Sequence, residues 1–222
     1  MLSIILPVLN EAATLEAHLQ ALQVLRRRGV ELIGVDGGSR DNSLALLQQY
    51  CDRALHSPPG RSTQMNAGAE CASGDCLLFL HADTRLPANA DSLLEHTLRR
   101  ADWGRFDLRL DNPRWPYRLI ARLINLRSRY SCVATGDQAL FFRRDFFQQL
   151  GGYAAIPLME DIDISKRARR AGRYAPLRAR VTTSARRWEQ HGIIATVLLM
   201  WQLRLRYFLG QSPQQLHKRY YG

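Results

Sequence analysis

A chain of 222 residues, 46% hydrophobic and 23% charged, is long enough to bury one sizeable α/β core, and it contains no low-complexity segment or internal repeat. Its 31 Lys and Arg outnumber 20 Asp and Glu for a formal charge of +11, which favours anionic partners (nucleic acid, phosphorylated small molecules or an acidic membrane surface) without choosing among them. Cys51, Cys71, Cys76 and Cys132 show neither Cys-x-x-Cys spacing nor a nearby histidine pair, which argues against zinc and thioredoxin-like chemistry and for free thiols in a reducing cytosol.

Strand and helix patterns alternate from the start. Residues 2–8 read as a strand; their apolar run is short, lacks a basic leader and meets Asn10-Glu11 at once, unlike a signal peptide. A helix over 12–28 follows, with apolar positions at Leu15, Leu19, Leu22 and Leu25. Residues 31–35 form the next strand, and Asp41 or Asn42 caps a helix running to Tyr50. A short strand at 53–56, a Ser57-Pro58-Pro59-Gly60 turn and a helix over 61–72 lead to a strand at 76–80. Repeated β–α units of this length predict a largely parallel sheet with helices on both faces.

Beyond Pro87 the pattern loosens. Helices are predicted at 89–100, 115–130, 145–150 and 160–171, an edge strand at 104–110 and an apolar strand at 139–143. Residues 1–188 then form one domain and 189–222 a helical appendage with a basic, aromatic tail. The unbroken apolar stretch from Ile193 ends at Gln202 and Arg204, short of the roughly 20 residues a membrane span requires. Arg204, Arg206, Lys218 and Arg219, with Trp201, Tyr207, Phe208, Tyr220 and Tyr221, suit a peripheral membrane contact; packing on the domain or in a homodimer is the alternative.

Three strands end in polar clusters: Pro7-Val8-Leu9-Asn10-Glu11, Asp36-Gly37-Gly38-Ser39-Arg40-Asp41 and His81-Ala82-Asp83-Thr84. Ligands in open α/β sheets bind beyond the carboxyl ends of the strands, so these clusters predict one shared site. A carboxylate there, such as Asp83, suits a hard divalent cation that carries phosphate oxygens. Glu11 either accepts from ribose hydroxyls or caps the helix it precedes. Arg61 opens a helix, where free backbone amides and a guanidinium suit a phosphate.

These motifs, together with Arg61 and Asn66 in 60–68, Thr135-Gly136-Asp137-Gln138, Met159-Glu160-Asp161 and Arg186-Arg187-Trp188, resemble the family 2 glycosyltransferases of the GT-A fold. The match is closest to a small bacterial branch with a Leu-His-Ala-Asp-Thr motif, and it extends from residue 3 to about 210. The resemblance implies a GT-A type, Rossmann-like, mostly parallel sheet flanked by helices. It implies that Pro7, Leu9, Glu11, Asp36, Arg61, Asn66, His81 and Ala82 contact a UDP- or GDP-linked sugar, and that Asp83 holds Mn²⁺ or Mg²⁺. It further implies Asp161 as the base for an acceptor hydroxyl with Glu160 positioning it, and Gly136, Asp137, Gln138 and Trp188 near the sugar or acceptor.

Two departures stand out. His81 occupies the position of the first Asp of the family's Asp-x-Asp, and Arg186-Arg187-Trp188 lacks the Gln of Gln-x-x-Arg-Trp. Asp83 has the competing role of helix cap, Glu160-Asp161 that of complementing a helix dipole, and Trp188 that of anchoring the C-terminal helix. The function so implied is inverting, metal-assisted sugar transfer in the cytoplasm or at the inner membrane face, to a hydroxyl acceptor that the basic tail suggests is lipid-linked. A nucleotidyltransferase would need a Gly-rich, Lys-containing loop after the first strand, where Asn10-Glu11-Ala12-Ala13 stands. A non-catalytic nucleic-acid- or membrane-surface-binding protein explains the charge but not the strand-end clusters, and no nucleic-acid-binding motif is present.

Overall fold

The structure, a computed structural model, describes residues 1–221; Gly222, at the end of the predicted 189–222 appendage, and the Tyr221 side chain lie outside that description. Strand β1 (Leu2–Val8) is central and almost wholly buried, flanked by β2 (Glu31–Asp36) and β4 (Cys76–Phe79), with β3 (Arg53–His56) outside β2. All three of these pairings are parallel. Helices α1 (Ala12–Arg26), α2 (Ser43–Tyr50) and α3 (Arg61–Cys71) make the crossovers. Helix α1 turns Leu15, Leu19, Leu22 and Leu25 into the core, the face its spacing predicts.

The chain lays β2 and β3 on one side of β1, then returns to place β4 on the other. That reversal puts a crevice at the carboxyl ends of β1 and β4. Their register closes at Ile5 with Phe79, so Pro7, which has no N–H to offer a ladder, lies beyond the paired stretch on that side.

The second half differs from the β–α repeat. The eight strands run in the order β3-β2-β1-β4-β7-β6-β8-β5, with β5 (Thr84–Arg85), β6 (Trp103–Leu110), β7 (Phe141–Arg143) and β8 (Tyr174–Thr183). Four of the seven pairings are parallel; the antiparallel three all involve β5 or β7. The predicted edge strand at 104–110 is therefore interior. Its outer side is taken by β8, which the patterning above does not predict: Pro176 argues against an interior strand, although Ala175, Leu177, Ala179 and Val181 alternate with Pro176, Arg178 and Arg180.

Helices α4 (Ala90–Leu98), α5 (Trp115–Ser131), α6 (Arg144–Gln149) and α7 (Glu160–Ala171) complete the body, and α8 (Arg186–His191), α9 (Ile193–Phe208) and α10 (Pro213–Tyr221) follow it. Two large apolar clusters fill the space between sheet and helices. A smaller one, Met159, Ile162, Leu203 and Leu216, joins the start of α7 to α9 and α10. Among the described residues, no helix is long and apolar enough to cross a membrane.

Candidate active site

The loops after β1 and β2 are bound to each other. Asn10, in the left-handed region at φ 54°, donates its N–H to Ser39 Oγ at 2.9 Å, and its Oδ1 accepts from Arg40 N–H at 2.8 Å. Glu11 N–H donates to Ser43 Oγ at 3.0 Å and Ala12 N–H to Asp41 Oδ2 at 3.0 Å. Asp41, not Asn42, serves the start of α2, accepting from Ser43 N–H at 3.0 Å. Beneath this lacing the buried Gln64 amide donates to the carbonyls of Val8 and Val35, each at 2.8 Å. A side chain at Gly37 would collide with that amide, its Cβ falling 2.9 Å from Gln64 Cδ.

Asp36 is 1% exposed at the end of β2. Its Oδ2 accepts from Gly38 and Ser39 N–H at 2.9 and 3.0 Å, while Oδ1 is buried without a partner. A buried carboxylate oxygen left open is costly unless a ligand donor meets it. Glu11 sits at the head of α1 without capping it. Its carboxylate lies 4.0 Å from Arg186 Nη2, and burial pushes its pKa up against that charge. The capping role weighed for Glu11 is therefore vacant, and its carboxylate is turned toward the crevice charges, Asp83 and Arg61 among them.

At the end of β4, Ala82 is buried and Asp83 exposed, followed by strand β5 and not a helix, which removes the capping role for Asp83. Burial, reinforced by Arg61, holds His81 well below the usual histidine range, so its imidazole is neutral. Gly136 lies against that ring: a Cβ there would fall 2.5 Å from Cε1 and Nε2.

The acceptor-side motif meets the same loop. Asp161 Oδ2 accepts from Gly136 N–H at 2.9 Å and Oδ1 from Ile162 N–H at 2.7 Å, at the first turn of α7. Burial, then Glu160, raises Asp161 to a pKa of about 6. Glu160 is buried, its Oε1 3.7 Å from Arg61 Nη1, which links the start of α3 to the start of α7. Asp137 follows Gly136; burial raises its pKa against the Thr135 hydroxyl and Arg127, and Oδ1 has no partner. Asp83 and Asp161 both act on Asp137 electrostatically, and Asp83 acts on Glu11, so the clusters from β1, β4, the 136–138 turn and α7 share one field.

Three predicted residues, Asn66, Gln138 and Trp188, make structural contacts. Asn66 spends both amide atoms on Tyr153, donating to its carbonyl at 2.8 Å and accepting from its N–H at 2.9 Å. Gln138 is fully buried, bonded to Ser128 Oγ at 2.9 Å and Thr135 N–H at 3.3 Å. Both amides support the loops that carry the site, and Gln138, fully buried, is closed off from a sugar or nucleotide. Trp188 packs on the main core beside Ile193, the anchoring role weighed against sugar stacking. Leu9 is exposed at 44% and carries no polar side chain, so only its backbone can serve a nucleotide.

One residue escaped the sequence reading. Arg127 of α5 is mostly buried with Nε and Nη2 unpartnered, and its charge acts first on Asp137, then on Asp161. Nothing in the sequence separates it from its neighbouring arginines. As for a cation, the described residues hold no group of three His, Cys, Asp or Glu that makes a ready cage. The donor chemistry nevertheless fits Mg²⁺ or Mn²⁺. Such ions are held by one or two carboxylates plus substrate phosphates and water, and Asp83 is an exposed carboxylate whose Oδ1 accepts from Thr84 Oγ1 at 3.2 Å.

The chain is similar to several known proteins. The chain is 34% identical over 168 residues to a "PGL/p-HBAD biosynthesis glycosyltransferase" of Mycobacterium bovis, covering 69% of this chain and 63% of the relative. It is 32% identical over 160 residues to an undecaprenyl-phosphate 4-deoxy-4-formamido-L-arabinose transferase of Pseudomonas paraeruginosa, covering 64% of this chain and 46% of that protein. The chain thus spans less than two thirds of the length of these relatives. Two solved structures share the fold: Pyrobaculum calidifontis mannosyltransferase PcManGT with GDP-Man and Mn²⁺ (TM-score 0.66, 17% identity, 91% of this chain and 60% of that one) and S. aureus TarS 1-349 with UDP-GlcNAc (TM-score 0.66, 16% identity, 82% and 58%). The sequence profile described as "Glycosyl transferase family 2" matches residues 3–150, and the chain belongs to that family.

Proposed function

We propose that this protein is an inverting glycosyltransferase that moves a sugar from a UDP- or GDP-linked donor to a hydroxyl of a lipid-linked acceptor. Residues 1–188 serve as the catalytic unit and 189–222 as a helical appendage. The observation that carries this reading is the raised carboxylate of Asp161, held by the Gly136 N–H beside His81 and in the same field as Asp83. Asp36 Oδ1 receives a donor from the base, and Glu11 is suited to ribose hydroxyls. Asp161 takes the acceptor proton as the acceptor oxygen bonds to the anomeric carbon and the sugar–phosphate bond breaks on the opposite face. Arg61, at the head of α3, faces the negative charge that develops on the departing diphosphate. Mg²⁺ or Mn²⁺, when bound to Asp83, supplies Lewis-acid stabilisation of that same charge.

The relatives support the substrate classes: one is named for transfer involving undecaprenyl phosphate, and the structural neighbours are named for complexes with GDP-Man and Mn²⁺ or UDP-GlcNAc. Thermal shift with UDP and GDP, with and without Mn²⁺, tests the proposal. One nucleotide raises the melting temperature in a Mn²⁺-dependent way, and Asp83→Ala removes that dependence. No shift with either nucleotide overturns it.

A further inference from the structure

Two helices carry apolar faces that the fold leaves open. On α9, Ile194, Leu198, Trp201, Leu205, Phe208 and Leu209 are 59–77% exposed and follow steps of three and four residues along one side. On α5, Trp115, Leu119, Leu123, Leu126 and Tyr130 are 40–82% exposed at the same spacing. Scattered exposed hydrophobics are ordinary, but two continuous stripes are not.

Charge identifies what covers them. Residues 114–131 contain five arginines and no Asp or Glu; residues 193–221 contain Arg204, Arg206, Lys218 and Arg219 and again no acid. Arg118 and Arg122 are exposed beside the α5 stripe, each one residue before Leu119 and Leu123. A second copy would set like-charged rims against each other, whereas an anionic bilayer neutralises them while taking up the apolar and aromatic side chains.

Position ties this surface to the site. The buried side of α9 presents Leu203 to Met159 and Ile162 at the start of α7, and the raised Tyr207 hydroxyl feels Asp163 and Asp161. The end of α5 reaches the same cluster through Val133 and continues into the turn that carries Gly136. The α9 stripe therefore lies on the side of α9 opposite Leu203, the residue that packs at the start of α7.

We infer that α5 and α9 together form a docking surface for an anionic lipid bilayer, seating the acceptor side of the site at the membrane interface. The link to an acceptor rests on the transferase reading; the docking itself does not. The test is cosedimentation of the full chain with phosphatidylcholine vesicles with or without about 30% phosphatidylglycerol. Binding is at least about tenfold tighter to the anionic vesicles and weakens with salt. Leu119→Glu/Leu123→Glu and Leu198→Glu/Leu205→Glu each weaken it about tenfold or more, and Arg118→Gln/Arg122→Gln, which adds no charge to the apolar stripe, lowers the anionic preference. The nucleotide thermal shift is unchanged in all three, so its absence with vesicle binding intact counts against the transferase reading alone. The inference is overturned by absence of binding to anionic vesicles, by binding that survives both glutamate pairs, or by a solution dimer that those pairs dissociate while vesicle binding persists.

Discussion

The backbone N–H of Gly136 donates to Oδ2 of Asp161 at 2.9 Å, while the α-carbon of the same glycine lies against the His81 ring. One residue thus holds the carboxylate at the start of α7 and the imidazole at the end of β4 in fixed relation. Gly136→Ala places a methyl 2.5 Å from the ring, which must move. The expected cost is about 1–3 kcal/mol of stability, with kcat falling further than melting alone explains. Melting curves and turnover measured on the same preparation check this.

Asp161 titrates at about 6 because burial and Glu160 oppose its charge. The base works when ionised, so kcat rises with pH through about 6. Asp161→Asn abolishes that limb and lowers kcat about 100- to 10,000-fold, with the nucleotide thermal shift retained. Stability runs the other way. The folded pKa lies above the reference 3.8, so the native state holds more protons than the unfolded chain between 3.8 and about 6. Within that window ionisation of Asp161 weakens the fold, and the melting temperature of wild type relative to Asp161→Asn falls as pH rises.

Arg127 faces Asp137 and Asp161 with two unpartnered nitrogens. Its charge favours the ionised carboxylates, so Arg127→Met moves the acid limb of kcat to higher pH. Arg127→Lys restores the limb in part, since the charge returns without the planar fork. A pH profile that stays in place in Arg127→Met contradicts this role.

Asp36 keeps a buried Oδ1 without a hydrogen-bond partner. Asp36→Asn weakens binding of the preferred nucleoside diphosphate about tenfold, the loss expected for a hydrogen bond to a charged group. Titration calorimetry with UDP and GDP reads the effect; equal affinity in wild type and variant rules out a contact at Oδ1.

The first half of the fold was legible because parallel β–α units put their apolar runs and their polar ends in regular alternation. Asp36, His81 and Asp83 each follow such a run. The second half was less so. Strand β8 carries Pro176 inside an otherwise regular alternation, and its absence from the pattern turned the interior β6 into an apparent edge. Asn66 and Gln138 carry side chains suited to sugars, but packing decided that their amides serve Tyr153, Ser128 and Thr135 instead. Arg127 has no local signature at all. Whether an arginine of α5 points inward depends on how Tyr117, Ile120 and Ser128 seat the helix.

The Gln64 amide, shared between the carbonyls of Val8 and Val35, sits under the loops that follow β1 and β2. Those two loops are thus joined through one buried amide. On the proposed function, a nucleotide donor would meet a wall whose parts are already tied together, which leaves less freedom to be lost at encounter.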